Sequence, residues 1–249
     1  TVARWLLGQD ALASKSYLWK GQIKSIREIL GRAAWLLPNS TSEYHRLRDR
    51  YGIDKKHTII PNGVDPNLFR SEEATGKNRR MVLCAARIEG IKNQLNLIRA
   101  LNNSEYTLVL AGAAAPNQRN YYEQCRREAA GNIIFIGRLT QEKLLPYYFA
   151  ATVHAMHSWF ETCGLSSLEA AAMNCNIVIT KKGFTTDYFG EDAFYCAPND
   201  PRSIRRAIDS AARAAAPANL RRRILSNYTW ESAATRTLDA YKKILHETA

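Results

Sequence analysis

From Met81 onward the sequence alternates short apolar runs with segments long enough to form amphipathic helices. No other feature restricts the fold as tightly. Parallel strands buried on both faces read as continuous apolar runs, and each needs a crossover, usually a helix, to bring the chain back. Five runs fit: Met81–Ala86, Tyr106–Ala111, Asn132–Ile136, Val153–Met156 and Asn176–Thr180, with Phe194–Cys196 as a sixth. Helices are expected over Asn93–Leu101, Asn117–Ala130, Gln141–Ala151, Leu165–Met173, Pro201–Ala214, Ala218–Ser226 and Glu231–His246. The expectation is an α/β fold with a parallel sheet flanked by helices, which holds ligands beyond the carboxyl ends of its strands.

Before Met81 the pattern changes. A helix near Ile23–Arg32, a strand at Trp35–Leu37, a helix at Ser42–Tyr51 and a strand at Thr58–Ile60 are expected, followed by a turn at Asn62-Gly63. The polar run Arg70–Arg80 reads as a linker. The resulting division is 1–64, a linker over 65–80, a main domain over 81–228 and a C-terminal helix over 229–249 that packs back toward the N-terminal part. A chain of 249 residues can bury a sizeable core. No apolar run is long enough to cross a bilayer, and Thr1–Leu7 lack the basic start and apolar stretch of a signal peptide. An opening on Thr is expected of a piece of a longer chain. Five scattered cysteines without a Cys-x-x-Cys pair argue against a disulfide framework or a zinc knuckle, so reduced thiols and a cytoplasmic location are expected.

A net charge of +12 attracts anions of any kind, whether nucleotide, nucleic acid or acidic membrane. Arg202, Arg205, Arg206 and Arg221-Arg222-Arg223 concentrate part of it in a basic C-terminal region. That region fits solvated helical faces as well as a surface for an acidic partner. No motif for specific nucleic-acid recognition accompanies it.

The most informative segment for chemistry is Glu161-Thr-Cys-Gly-Leu-Ser-Ser-Leu-Glu169. Glu161 falls in a loop before Gly164, and Glu169 lies about a turn and a half into the expected helix. Between them is a helix N-terminus, whose first amides lack intrahelical partners and whose dipole favours an anion such as phosphate. A phosphate flanked by two carboxylates points to a sugar nucleotide. Taken alone, the two acids fit a glycosidase pair or a metal site as well.

Four pieces, Ile59-Ile-Pro-Asn-Gly-Val-Asp65, Ala86-Arg-Ile-Glu-Gly-Ile-Lys92, Ile134-Phe-Ile-Gly137 and Glu161 to Ala170, occur in a characteristic order and spacing. In these the chain resembles the retaining GT-B glycosyltransferases of the glycosyl-transferase group 1 family, related to glycogen synthase, from about Ser40 to Leu245. The resemblance implies the Rossmann-like, nucleotide-sugar-binding C-terminal half of a GT-B fold, carrying the tail of an N-terminal acceptor-side domain. It implies catalytic roles for Glu161, Arg87 and Lys92. The two cations would pair with the donor diphosphate, whose charge grows as the glycosidic bond breaks, and Glu161 would contact the transferred sugar. Substrate binding would fall to Glu169 at the ribose, to Gly164 and the amides of Leu165 and Ser166 at the phosphates, and to Arg138 at the base through its backbone. No Asp-x-Asp motif occurs, and the resemblance implies no metal and no cofactor beyond the NDP-sugar donor itself. The implied acceptor is a glycan or a lipid-linked sugar held by the other domain. The implied setting includes peripheral contact at the inner face of a membrane, and the chain alone is expected to transfer little or nothing.

The chain departs from the family pattern at Cys175-Asn-Ile-Val178, at Lys182-Gly-Phe-Thr-Thr-Asp187 and at His157-Ser158, where a proline is common. These departures bear on the sugar pocket more than on the nucleotide. His154 and His157 invite a metal reading, but an odd spacing on a strand sends them to opposite faces, and core or loop histidines are favoured. Tyr147, Tyr148 and Phe149 read as core. Gly112–Asn117 matches no phosphate-loop pattern and reads as a cleft-facing loop. The alternative function is a non-catalytic basic interaction module with a vestigial nucleotide site.

Overall fold

Successive side chains of a strand point to opposite faces of its sheet, and the two cores of this protein divide along that rule. The computed structural model describes residues 15–69 and 76–248. Its sheet has six parallel strands: β1 (Asn78–Ala85), β2 (Thr107–Ala111), β3 (Ile133–Gly137), β4 (Ala151–Met156), β5 (Asn176–Thr180) and β6 (Phe194–Cys196). Their spatial order is β3-β2-β1-β4-β5-β6, an α/β Rossmann-like arrangement. Leu83, Val109, Ile177 and Ile179 face one core, while Val82, Leu108, Val153 and Val178 face the other.

The helices in chain order are α1 (Lys15–Arg32), α2 (Thr41–Tyr51), α3 (Gln94–Leu101), α4 (Arg119–Glu128), α5 (Gln141–Ala150), α6 (Leu165–Ala172), α7 (Thr185–Phe189), α8 (Pro201–Arg213), α9 (Ala218–Asn227) and α10 (Trp230–Thr248). Leu97, Ile98 and Leu101 of α3 and Ile204 and Ile208 of α8 fill one core; Leu168 of α6 and Leu220 and Ile224 of α9 fill the other. Contacts divide the chain into two compact units, Thr1–Pro61 with Ala234–Ala249, and Asn62–Ala233.

Two sequence expectations are corrected. β1 starts at Asn78, inside the stretch read as a linker, because Asn78 pairs with Ala151 of β4; residues 70–75 of that stretch lie outside the described residues. The strands expected at Trp35–Leu37 and Thr58–Ile60 reduce to a single parallel bridge, Leu36 with His57. Thr58 and Ile60 donate to the carbonyls of Leu36 and Pro38, but Pro38 has no amide with which to extend the ladder. Helix α2 matches its expected span closely and shows why. Ser40 caps its first turn by accepting from the Glu43 amide at 3.1 Å, and Gly52 ends it in the left-handed region at φ 63°.

Candidate functional site

The strand order reverses between β1 and β4, the place where a doubly wound sheet leaves a crevice beyond its carboxyl ends. Two loops meet there. After β1 the chain passes Arg87 and makes a single 3-10 turn, Gly90–Lys92. After β4 it runs through His157, Ser158 and Glu161 to α6. The Trp159 amide donates to the Ile91 carbonyl at 2.9 Å, and Asn93 Nδ2 donates to the carbonyls of His157 at 3.3 Å and Pro198 at 2.7 Å. His157 returns a bond through Nε2 to the Asn93 carbonyl at 2.7 Å. Burial pulls the His157 imidazole down to about 4, against a smaller upward pull from that carbonyl. The ring is therefore neutral at physiological pH, and its proton sits on Nε2, since a carbonyl only accepts.

Stitching the loops together brings Lys92 against Glu161. The Lys92 Nζ lies 2.6 Å from Glu161 Oε2, and the buried Ser158 hydroxyl donates to the same oxygen at 3.1 Å. Glu161 is 6% exposed, so its charge relies on these partners rather than on water. Its backbone is also fixed: its amide donates to the Lys182 carbonyl at 2.8 Å, and its carbonyl accepts from the Phe184 amide at 3.0 Å. Between those residues Gly183 adopts φ +120°, and a Cβ there would lie 1.9 Å from the Glu161 carbonyl oxygen. Only glycine allows this approach.

Gly164 opens α6 in the left-handed region, φ 73° and ψ 60°. The amides of Ser167 and Leu168 donate back to the Gly164 carbonyl, whereas those of Leu165 and Ser166 have no acceptor among the described residues. One turn on, Glu169 accepts from Tyr148 Oη at 2.7 Å and from Gln141 Nε2 at 2.8 Å, both from α5. Burial raises the Glu169 carboxyl above its ordinary range, and the two hydrogen bonds oppose it. Tyr148 is fully buried, and burial followed by the charge of Glu169 holds its hydroxyl protonated.

Arg87, Arg138, Ser166 and Glu169 line one open cavity of about 550 Å³, together with Ala113–Pro116 of the loop after β2. The structure thus gathers four of the eight candidate residues around one cavity. Lys92 and Glu161 form the pair described above, and Gly164 and Leu165 lead into α6 beside it. Arg87 is mostly exposed and meets Glu89 at 3.1 Å. The residues that sequence reasoning missed are supports: Ser158, Asn93 and Gly183 around Glu161, and Tyr148 and Gln141 around Glu169. Tyr148 carried a signal as one of three consecutive aromatics, but its hydroxyl partner lies 21 residues away. Among the described residues no three His, Cys, Asp or Glu side chains converge as a metal site. His154 is buried beside Ser167, with Nδ1 3.2 Å from its hydroxyl.

The sequence profile of the family described as glycosyl transferases group 1 matches residues 66–228, the whole of the sheet and this site. The chain belongs to that family. Among curated relatives, it is 25% identical over 248 residues to the D-inositol 3-phosphate glycosyltransferase of Acidothermus cellulolyticus, covering 88% of this chain and 55% of the relative. It is 28% identical over 224 residues to the lipopolysaccharide core biosynthesis mannosyltransferase LpcC of Rhizobium leguminosarum, covering 79% of this chain and 63% of that one. The chain therefore spans somewhat over half the length of these relatives. Among solved structures, sucrose-phosphate synthase from Thermosynechococcus elongatus superposes with a TM-score of 0.78 at 22% identity, over 95% of this chain and 65% of that one. HepE of Anabaena, in complex with UDP, gives 0.76 at 16% identity, over 97% and 74%. At such identities the likeness establishes the shared fold.

Proposed function

We propose that this chain binds a nucleoside diphosphate sugar and supplies the donor side of a glycosyl transfer that retains the anomeric configuration. One observation carries the reading: Arg87, Arg138, Ser166 and Glu169 line a single cavity beyond the strand ends, where the first amides of α6 are available. In this reading Glu169, already oriented by Tyr148 and Gln141, accepts from the ribose hydroxyls. The diphosphate lies against the amides of Leu165 and Ser166, with Gly164 permitting close approach and Arg87 and Lys92 as counter-charges. Arg138 borders the base. Glu161 meets the hydroxyls of the transferred sugar, next to the bond that breaks. As that bond opens, charge grows on the departing diphosphate, and the fixed amides and cations stabilise it more than they stabilise the bound donor. Those groups take the place of a metal, and no cofactor beyond the donor is required. The support from relatives is of the same kind, since several are named as glycosyltransferases and HepE was solved with UDP.

The acceptor is a glycan or a lipid-linked sugar, held by the part of the protein in which the relatives exceed this chain, and this chain alone transfers little. In the same reading residues 78–228 hold the donor, 1–64 are the tail of the acceptor-side domain, and the C-terminal helix over 229–249 packs back toward that tail. No helix among the described residues is long and apolar enough to cross a membrane; contact with a lipid-linked acceptor would be peripheral. A thermal-shift screen of UDP, GDP, ADP and their sugars tests the reading. A ligand at a hundred times its Kd adds about 2.7 kcal/mol of stability, and a folded sample that responds to none of them refutes it.

A further inference from the structure

Glu161 is held at one oxygen. Lys92 Nζ at 2.6 Å and Ser158 Oγ at 3.1 Å both fall on Oε2, and among the described residues no donor is seen on Oε1. The two donors differ in kind. Lys92 is an ammonium on a flexible four-carbon stem, partly exposed at 22%. Ser158 is completely buried, one rotor long, and sits in a backbone pinned on both sides, by His157 against Asn93 and by Trp159 against Ile91. A diphosphate arriving beside Lys92 draws the ammonium toward itself, since two phosphate charges outweigh one carboxylate. Glu161 then needs an anchor that does not move.

We propose that Ser158 is the positioning residue for the sugar end of the donor: its buried hydroxyl keeps the Glu161 carboxylate fixed through Oε2 when Lys92 turns to the diphosphate, leaving the other oxygen for a sugar hydroxyl. This inference rests on the nucleotide-sugar reading above. Ser158 touches no ligand itself; it acts through Glu161. Its effect therefore separates from that of the groups that hold the nucleotide, because Arg87, Ser166 and Glu169 line the cavity and Ser158 does not.

The test uses the full chain and calorimetry with four pairs: UDP and UDP-glucose, UDP and UDP-N-acetylglucosamine, GDP and GDP-mannose, ADP and ADP-glucose. For the pair that binds wild type best, the ratio of nucleotide Kd to nucleotide-sugar Kd measures what the sugar contributes. Ser158→Ala is expected to leave the nucleotide Kd within about twofold and to lower that ratio about tenfold, the loss of one hydrogen bond to a charged group. Ser158→Thr, which keeps the hydroxyl, is expected to restore it. An unchanged ratio in Ser158→Ala overturns the assignment, as does an equal loss for nucleotide and nucleotide-sugar, which would mark a merely structural role. If Ser158→Ala melts below the assay temperature, Ser158→Thr and Ser158→Cys carry the comparison, and a Cys variant with the full wild-type ratio also overturns it. Wild type that binds no member of any pair refutes the nucleotide-sugar reading itself, a result distinct from every outcome above.

Discussion

Acid should destabilise this protein through two histidines. His154 and His157 are fully buried, and burial lowers their imidazoles from an ordinary 6.5 to about 3 and about 4. Each also leaves one buried ring nitrogen, Nε2 of His154 and Nδ1 of His157, without a hydrogen-bond partner, so a proton added there finds no acceptor. The sign follows from proton uptake. Below 6.5 the unfolded chain binds protons that the folded chain refuses, so stability is complete above 6.5 and falls as pH drops toward the folded values. Between pH 7.5 and pH 5 each site loses about 2 kcal/mol, and the pair about 4 kcal/mol. With a urea m-value of about 2–3 kcal/mol/M, the midpoint falls by roughly 1.3–2 M. Urea titrations followed by circular dichroism at pH 7.5, 6.5, 5.5 and 5 measure it. His154→Asn keeps a partner for the Ser167 hydroxyl, His157→Gln keeps a donor for the Asn93 carbonyl, and neither titrates. Each variant should remove about half of the wild-type pH dependence, whatever it does to absolute stability. A variant that keeps the wild-type slope, or a wild type equally stable at pH 5 and 7.5, refutes the reasoning. His157 also holds the loop that carries Glu161, and since the folded imidazole takes up its proton only near 4, that hold persists in the folded protein at pH 5.

Gly183→Ala combines a positive φ with a Cβ overlapping the Glu161 carbonyl; it should cost at least about 3 kcal/mol and lower Tm by roughly 6–12 °C. Gly131→Ala, with nothing within 4 Å, should stay within about 1 kcal/mol of wild type, and scanning calorimetry of the two variants decides the point. Lys77→Met removes the donor that Lys77 Nζ supplies to the carbonyls of Tyr148, Ala151 and Met173 at 2.7, 2.9 and 2.7 Å; the Cys175 thiol still reaches the first two, so the Met173 carbonyl bears the loss, and urea unfolding should show about 1–3 kcal/mol. Tyr148→Phe removes one of the two donors to Glu169 and should weaken the best nucleoside diphosphate about tenfold. Its 2′,3′-dideoxy analogue should bind both proteins alike by calorimetry, and a parallel loss would separate Glu169 from the ribose.

The sheet was legible because each of its strands carries an apolar run, although β1 begins three polar residues before its own, at Asn78, and the residues that end β1 and β4 could be named before their neighbours were known. What was not legible depends on order in space. Lys92 and Glu161 are 69 residues apart and meet only because β4 enters the sheet beside β1, a placement that periodicity does not encode. The same holds for Gly183 against Glu161, whose contact crosses from one strand exit to the next. Helix α7 went unseen because five residues are too few for a periodic signal. The expected strand at Trp35–Leu37 failed for the converse reason: its apolar residues fit a strand, but a proline follows at once.

The net charge of +12 shows how a global property misleads about a local one. Two of the three consecutive arginines that mark the basic region serve helix ends: Arg221 Nε donates to the Ala172 carbonyl at the end of α6, and Arg223 donates to the Phe189 carbonyl at the end of α7. Arg205 pairs with Glu105 and Asp209, and Arg206 faces Asp200. These cations are engaged within the fold, which weakens the case for a basic docking module. Their effect on the candidate site is indirect and lies in α6. Lys77 and Arg221 place positive charge at its carboxyl end, where the last carbonyls carry partial negative charge. Its amino end, with the amides of Leu165 and Ser166, faces the place proposed for phosphate. A helix held so firmly at its negative end presents its positive end to an anion without having to reorganise, and that is how a basic sequence would favour the proposed phosphate beside Arg87, Arg138 and Lys92.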